Sequence, residues 1–249
     1  MKARIIIVLF MIGLGFSSAN AQKAKRFEVA AKAGVGSSWI INQNNYGLNE
    51  MEYEYTLGTA FNLQVGYNFN SNIGLFAEVG TRSQGQDYSD TWNNKNDIKR
   101  EVSLSYLTVP LLFKYSYGES IARFRLLVGP EISFLQKAEQ VYTFDGKSME
   151  GKFEITDKDG HTFDPAAKDI TDRYNSMDVS AVIDLGADIF IIQEVFYISA
   201  GARFYYGLMD INASAYQIEN KEGKYEASHN AGIMFDLGFH YVIGAKKIN

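Results

Sequence analysis

The segment Thr56–Phe69, with the sequence TLGTAFNLQVGYNF, alternates between two kinds of residue. Apolar side chains such as Phe61, Leu63 and Val65 occupy most of its odd positions, and its even positions are small or polar. Successive side chains on a β-strand point to opposite faces, so this segment predicts a strand with one apolar face. A helix would place several glycine and asparagine residues in its interior, where their helix propensity is poor.

Seven further segments show the same alternation, so the sequence predicts eight strands. They span residues 27–38, 56–69, 73–84, 101–117, 121–136, 177–190, 196–209 and 230–243. Each is long enough for the roughly 9–11 residues that a tilted strand needs to cross a bilayer. Leu112 and Leu127 fall on the polar face and do not fit the pattern. Pro110 cannot donate to a strand ladder, so we expect a β-bulge near it.

The connections between these strands alternate in length. The short ones are residues 70–72, 118–120 and 191–195, and the long ones are residues 39–55, 85–100, 137–176 and 210–229. In an up-and-down antiparallel barrel every second connection lies at the same end, and outer-membrane barrels carry short periplasmic turns and long outer loops. The predicted fold class is therefore all-β, an eight-stranded antiparallel up-and-down transmembrane β-barrel with both termini in the periplasm.

Glycine placement separates this fold from its main alternative, a secreted soluble lipocalin-like barrel that binds a ligand in an apolar interior. The glycines within the predicted strands lie on the charged face, as Gly66, Gly129 and Gly201 do. Glycine is depleted in strands, but it is useful where space is short, and the interior of an eight-stranded barrel is narrow. The charged face is therefore predicted to line the lumen and the apolar face to contact lipid.

The predicted luminal face is balanced in charge. Its charged members are six acids and six bases, namely Glu28, Glu78, Glu131, Asp184, Asp188, Asp236, Lys32, Arg82, Lys114, Arg123, Arg125 and Arg203. Buried charges must be paired to offset a desolvation cost of several kcal/mol each. We predict that these twelve form a lumen charge network that fills the barrel. The alternative is that some of them sit in water at the lumen ends. His240 is expected to join the network near Asp236.

The first residues predict export. Lys2 and Arg4 precede an apolar run, and Ala19-Asn20-Ala21 fits the small-residue cleavage pattern of a signal peptide. We predict a cleaved signal peptide at residues 1–21 and a single barrel domain at residues 22–249. The run from Ile5 to Phe16 is too short to cross a bilayer as a helix. The predicted location is the bacterial outer membrane.

Composition removes several function classes. The chain has 24 basic and 29 acidic residues and no cysteine. Its acidic balance argues against nucleic acid as a partner, and the missing thiols exclude disulfides, thiolate metal sites and cysteine nucleophiles. The adjacent Ser228 and His229 point apart on an extended chain, so they make a poor catalytic pair. We expect no enzyme activity, no metal and no cofactor.

Two of the long loops carry their own signals. Residues 39–55 are rich in apolar side chains, including Trp39, Ile40, Met51 and Tyr55. The first two strands are therefore expected to continue past the membrane there, and the alternative is a recognition surface for another protein. In the forty-residue loop, the turn signal Asp145-Gly146 predicts a hairpin of residues 141–144 with residues 153–156.

Four motifs resemble the PorT-like family of outer-membrane β-barrel proteins. They are FEVAAKAG at residues 27–34, YLTVPLLFKY at residues 106–115, Gly129-Pro130, and RFYYGLMDI at residues 203–211. The resemblance covers nearly the whole mature chain and implies an integral outer-membrane protein. It implies little about activity, and some members of the family are linked to protein secretion.

Three functions remain open at this point. The first is a filled, monomeric barrel with a structural role or a binding role through its outer loops, in contact with membrane lipid and lipopolysaccharide. The second is a small pore or a secretion-associated component. The third is a lipid-modifying enzyme that uses Ser228 and His229.

Overall fold

The computed structural model describes residues 26–42, 51–92, 96–118, 121–148, 155–156, 162–163, 166–217, 219 and 223–244. The predicted signal peptide at residues 1–21 lies outside the described residues. Among the residues that are described, no helix is long and apolar enough to cross a membrane.

Eight long strands form the wall of the molecule. They are β1 (Arg26–Ile41), β2 (Thr56–Asn68), β3 (Ile73–Trp92), β4 (Asn96–Tyr117), β5 (Ala122–Phe144), β6 (Met177–Ile192), β7 (Phe196–Gly207) and β8 (His229–Ile243). Each strand pairs antiparallel with its sequence neighbour, and β1 pairs with β8, for example Ala33 with Leu237. The sheet therefore closes on itself, which confirms the predicted eight-stranded up-and-down barrel.

The two ends of the barrel differ. At one end, here called the turn end, strands are joined by the short connections 69–72, 118–121 and 193–195. The opposite end, here called the loop end, carries the connections 42–55, 145–176 and 208–228. A fourth connection at the loop end is short, because β3 reaches Trp92 and β4 starts at Asn96. The prediction of a sixteen-residue loop at 85–100 is therefore wrong, since most of these residues extend two strands.

The alternation seen in the sequence is an alternation between the two faces of the wall. Phe61, Leu63 and Val65 on β2 are 50–60% exposed, whereas Asn62 and Gln64 between them are buried. The other strands repeat this pattern, and the outward apolar side chains form a continuous band. On β4 the band runs from Tyr115 to Leu107. Nearer the loop end the outward residues of β4 are polar, as Ser103 and Glu101 are.

Two local predictions need correction. The register of β4 against β5 is unbroken where Pro110 pairs with Glu131, and the bulge lies where Ser105 pairs with Lys137 and Tyr106 with Leu135. The extra residue is therefore Gln136. The predicted hairpin of residues 141–144 with 153–156 is also wrong, because Thr143 and Phe144 pair with Ser148 and Lys147. Asp145 and Gly146 form the tight turn, both with positive φ.

An apolar cluster closes the loop end. This upper core consists of Ile40, Met51, Tyr88, Val102, Leu104, Tyr106, Ala138, Ile170, Tyr174 and Ile211. Six of its ten members belong to the strands, and Met51, Ile170, Tyr174 and Ile211 come from the connections. β1 continues to Ile41, as expected, but β2 begins at Thr56, so the expected continuation of the second strand is wrong. The segment Glu52–Glu54 pairs with β3 instead. Tyr46 and Leu48 of the same loop lie outside the described residues.

Candidate functional site

The lumen is where the predicted charged residues meet. Eleven of the twelve predicted side chains are buried, and Arg123 is half-buried near the turn end. The eleven come from seven of the eight strands, and only β2 contributes none of them. Strand alternation places them on the inner face, and the antiparallel registers bring them to matching heights.

Asp184 on β6 is the most highly connected acid in the described lumen. Its carboxylate accepts hydrogen bonds from Lys32 Nζ at 2.8 Å, Arg125 Nη2 at 2.9 Å and Arg203 Nη2 at 2.9 Å. The Asp184 side chain is fully buried. The carboxylate of Asp184 therefore links β6 to β1, β5 and β7, the strands that carry these three cations.

The three cations around Asp184 also reach other acids. Arg203 donates two hydrogen bonds to Glu78, at 2.6 and 2.9 Å, in the fork geometry that makes arginine–carboxylate pairs strong. Lys32 Nζ lies 3.2 Å from Asp236, and Arg125 Nη1 lies 3.5 Å from Asp188. The central charges therefore form one connected network.

A second group of contacts lies closer to the turn end. Glu28 accepts hydrogen bonds from Asn68 at 2.9 Å and from the hydroxyl of Tyr197, and it lies 2.9 Å from His240 Nδ1. His240 Nε2 lies 2.8 Å from the Ser199 hydroxyl. His240 is thus in the lumen, as predicted. Its acid partner is Glu28, so the prediction that it lies near Asp236 is wrong. Lys114 adds ion pairs to Glu28 and Asp188.

Arg82 and Glu131 form a further pair toward the loop end. Arg82 Nη1 donates to Glu131 at 2.6 Å, and the Arg82 guanidinium stacks over the ring of Tyr205 at 3.9 Å. The Tyr205 ring belongs to an apolar cluster that fills space between the charges, with Phe76, Leu112, Leu127, Val182 and Met234. Leu112 and Leu127, the two misfits of the sequence pattern, are therefore luminal packing residues.

A bridge at the turn end was not predicted. Glu194, in the connection between β6 and β7, forms ion pairs with Arg26 at 3.0 Å and with Arg123. Its backbone has φ of 64°, a conformation that a non-glycine residue rarely adopts. A single acid in a short turn has no periodicity, so strand alternation could not identify it.

Luminal glycines leave room for the large side chains. A Cβ on Gly66 would lie 2.0 Å from the ring of Phe76, and one on Gly201 would lie 2.8 Å from the Arg125 guanidinium. Luminal side chains approach the backbone closely at these two positions, so glycine fits there. A larger residue would displace the Phe76 ring or the Arg125 guanidinium.

Ser228 and His229 contact different groups. The Ser228 hydroxyl donates to the carbonyl of Asn42 at 2.7 Å and accepts from Asn212 at 2.9 Å. His229 Nδ1 lies 3.0 Å from the carbonyl of Met209, and its ring stacks on Tyr206. The hydrogen bonds of the two side chains go to these other groups and not to each other. Ser228 and His229 therefore do not form a nucleophile–base pair.

Outside the membrane-facing band, the β3–β4 extension carries an acidic surface. Burial raises the pKa of the Asp87 carboxyl above its usual value, and the negative charges of Glu101 and Glu54 raise it further.

No cluster of three or more histidine, aspartate or glutamate residues is arranged to hold a metal ion in the part of the chain that the structure describes.

The barrel is closed, its exterior is apolar and its interior is ionic. A family model described as "Outer membrane protein beta-barrel domain" matches residues 18–213, most of the chain. The chain belongs to this outer-membrane β-barrel family. It is therefore an integral protein of the bacterial outer membrane, as predicted, and the soluble lipocalin-like alternative is excluded. The matched region ends in the connection before β8, which the structure shows to complete the barrel.

Solved structures of small outer-membrane proteins are similar to the chain. Neisserial surface protein A is 10% identical, with 87% of this chain and 98% of that chain covered and a TM-score of 0.36. The attachment invasion locus protein Ail of Yersinia pestis is 12% identical, with 86% and 99% covered and a TM-score of 0.35. OprG from Pseudomonas aeruginosa is 12% identical, with 90% and 99% covered and a TM-score of 0.43. No curated protein matches the chain.

Proposed function

We propose that this protein is a filled, non-conducting barrel that displays a structured platform at the cell surface and acts there in a structural or binding role. The observation that carries the proposal is the packed lumen, in which ionic and apolar side chains interlock. An eight-stranded barrel is narrow enough for side chains to fill its interior. The loop end is taken to face the outside, because outer-membrane barrels carry their long loops there.

The platform is supported by the upper core. Tyr88, Leu104 and Ile170 are almost completely buried although they lie beyond the apolar band. A buried core outside the bilayer holds the strand extensions and connections in fixed positions, which is what a binding surface needs. Membrane lipid and lipopolysaccharide are its expected surroundings, with a protein partner at the platform as a further candidate. We further propose that it works as a monomer without a cofactor.

The same proposal assigns no catalytic role. Ser228 and His229 are the candidates for acyl-transfer chemistry, and their contacts stabilise the fold of the connection before β8.

The four PorT-like motifs support placing the chain within the PorT-like group of outer-membrane barrels. Three of them supply network residues, with Glu28 and Lys32 in the first motif, Lys114 in the second and Arg203 in the last.

Single-channel recording tests the filled lumen. The purified full-length protein, reconstituted in planar bilayers, is expected to give no steady open current. A Phe76→Ala variant removes a large luminal ring that carries no charge, and we expect it to conduct more than the parent.

A steady current through the parent protein would overturn the proposal in favour of the small pore. Heat-modifiable gel mobility must show that both proteins are folded, because an unfolded or partly inserted barrel can leak. If folded Phe76→Ala and its parent are both silent, the barrel is closed by more than this ring, which still supports a filled lumen.

Cysteine labelling tests which end faces outside. The chain has no cysteine, so Lys137→Cys at the loop end and Asn72→Cys at the turn end each introduce a single thiol on an exposed residue. In intact cells a membrane-impermeant maleimide is expected to label only the Lys137→Cys variant, and both should react after lysis. The reverse pattern would place the platform in the periplasm and contradict the proposal.

A further inference from the structure

One carboxylate bridges the mouth of the barrel at the turn end. Glu194 Oε2 accepts a hydrogen bond from Arg26 Nη1 at 3.0 Å, and its other oxygen, Oε1, accepts one from Arg123 Nη2. Arg26 begins β1, and Arg123 is the second residue of β5. In the closed ring β5 is separated from β1 by the same number of strands in either direction, so the two arginines stand on opposite walls. These three side chains, here called the strap, therefore cross the mouth.

The turn that carries Glu194 is firmly held. The backbone N–H of Val195 donates to the carbonyl of Ile192 at 3.0 Å, and the N–H of Val242 on β8 donates to the carbonyl of Val195 at 2.8 Å. The φ of 64° at Glu194 costs free energy for a residue with a Cβ, and such strain persists only where the surroundings hold it. Residues of this kind concentrate at clamps and switches. The strap is therefore anchored on a strained residue in a fixed turn.

A small cavity lies behind the strap. Its volume is about 50 Å³, which is room for a few water molecules. Its inner lining, here called the vestibule, includes Lys114, Ser116, Asp188 and Tyr197, which are only 1–6% exposed. Arg26 and Arg123 line the same cavity. Because both arginines lie at the turn-end limits of their strands, the strap stands between the vestibule and the solvent at that end.

From this geometry we propose that the strap is a gate, which controls the access of small solutes from the turn end to the vestibule. With both ion pairs formed, one carboxylate and two guanidinium groups block the mouth. Release of Glu194 from its partners opens the mouth to the vestibule alone. The lumen beyond the vestibule stays filled, because Asp184 and its three cations do not contact the strap.

Solvent contact makes the strap easier to open than the rest of the lumen. The side chains of Arg26, Arg123 and Glu194 are 18%, 14% and 8% exposed, whereas that of Asp184 is fully buried. Salt screens charge pairs that water reaches and has much less effect on buried pairs. The ionic strength on the turn-end side is therefore expected to control the gate.

Thiol labelling of the full chain in detergent micelles tests the gate, because the chain has no cysteine of its own. Ser116→Cys places one thiol of similar size in the vestibule, and methyl methanethiosulfonate is a small neutral probe of its accessibility. Adding Glu194→Gln removes the charge that both arginines share, and we expect labelling to become about tenfold faster as two partly exposed ion pairs are lost. With Glu194 in place, about 1 M sodium chloride should speed labelling roughly threefold, since it shortens the Debye length to about 3 Å.

Two further thiols and one further variant serve as controls. Asn72→Cys is exposed at the turn end outside the vestibule and should be labelled equally fast with and without Glu194→Gln. Ser180→Cys lies deep in the lumen, where Ser180 is completely buried, and should stay unlabelled in both backgrounds. Arg26→Gln releases only one of the two ion pairs, so it should speed labelling of Ser116→Cys by a smaller factor of about three. It replaces Glu194→Gln if that variant does not fold.

Equal labelling of Ser116→Cys with and without Glu194→Gln would overturn the gate. So would labelling as fast as that of Asn72→Cys while Glu194 is in place, since the mouth would then be open. If Ser180→Cys also became reactive, Glu194 would stabilise the whole barrel, and the gate would again be refuted. Heat-modifiable mobility shows whether each variant is folded. Conductance tests the filled lumen and labelling tests the gate, so either proposal can fail without the other.

Discussion

Replacing Asp184 with asparagine is expected to lower the free energy of unfolding by about 3–5 kcal/mol, the cost of breaking a buried ion pair from one side. The substitution keeps the size of the side chain but removes the charge that Lys32, Arg125 and Arg203 share. These cations retain Glu78, Asp188 and Asp236, but the buried cluster loses its balance of charge. Urea titration of the protein folded in detergent micelles, followed by heat-modifiable gel mobility, measures the change.

The control for this prediction is an exposed pair on β5. Lys137 and Glu139 lie 2.7 Å apart, with side chains about half exposed at the loop end. Solvent screens such pairs, so Glu139→Gln is expected to leave the urea midpoint unchanged. If Asp184→Asn unfolds at the same urea concentration as the parent, the network is not a source of stability, and the charged lumen must then be hydrated well enough to tolerate an unpaired cation.

The sequence predicted the faces of the wall because lipid and lumen make opposite demands on neighbouring residues. Within the apolar band, Val109 and Leu111 face outward while Thr108 and Lys114 face inward. A period of two with contrasting chemistry is easy to recognise there. The same contrast between lipid and lumen predicted that the charged side chains would lie inside. That prediction does not depend on which acid pairs with which base.

The strand ends were misjudged because the contrast inverts outside the bilayer. On β4, Val102 and Leu104 are buried, and Ser103 and Glu101 face outward. The inward positions continue without a break, but water now lies outside, so apolar residues move to the interior. A search for one apolar outward face stops where this change occurs, and it therefore assigned residues 85–100 to a loop.

Pairings across the lumen depend on register, which strand alternation does not determine. His240 was placed on the inner face from its parity, but its contact with Glu28 depends on the pairing of β8 with β1, where Val242 lies opposite Glu28. Glu194 lies in a turn and depends on the closing of the ring, which brings it to Arg26, 168 residues away. Such long-range contacts follow from closure of the barrel and not from local sequence.

The second large effect concerns the lid formed by the connection before β6. Ile170 is completely buried in the upper core, and its backbone N–H donates to the carbonyl of Ala138 on β5 at 2.9 Å. Gln140 on the same strand donates to the carbonyl of Lys168 at 2.9 Å. The segment is thus held against the wall by the buried side chains of Ile170 and Tyr174 and by backbone hydrogen bonds at Lys168 and Ile170.

Ile170→Asp would place an unpaired carboxylate among apolar side chains, at a cost of several kcal/mol if the segment stayed in place. We expect the segment to leave the wall instead and to expose the peptide bond after Arg173, which is buried in the parent. Trypsin should then cleave there at least about tenfold faster, because each 1.4 kcal/mol of lost docking free energy raises the open population tenfold. Ile170→Leu keeps the apolar volume and should be cleaved at close to the parental rate. Slow cleavage of a folded Ile170→Asp barrel would contradict the prediction and would mean that burial of Ile170 is not what holds the segment in place.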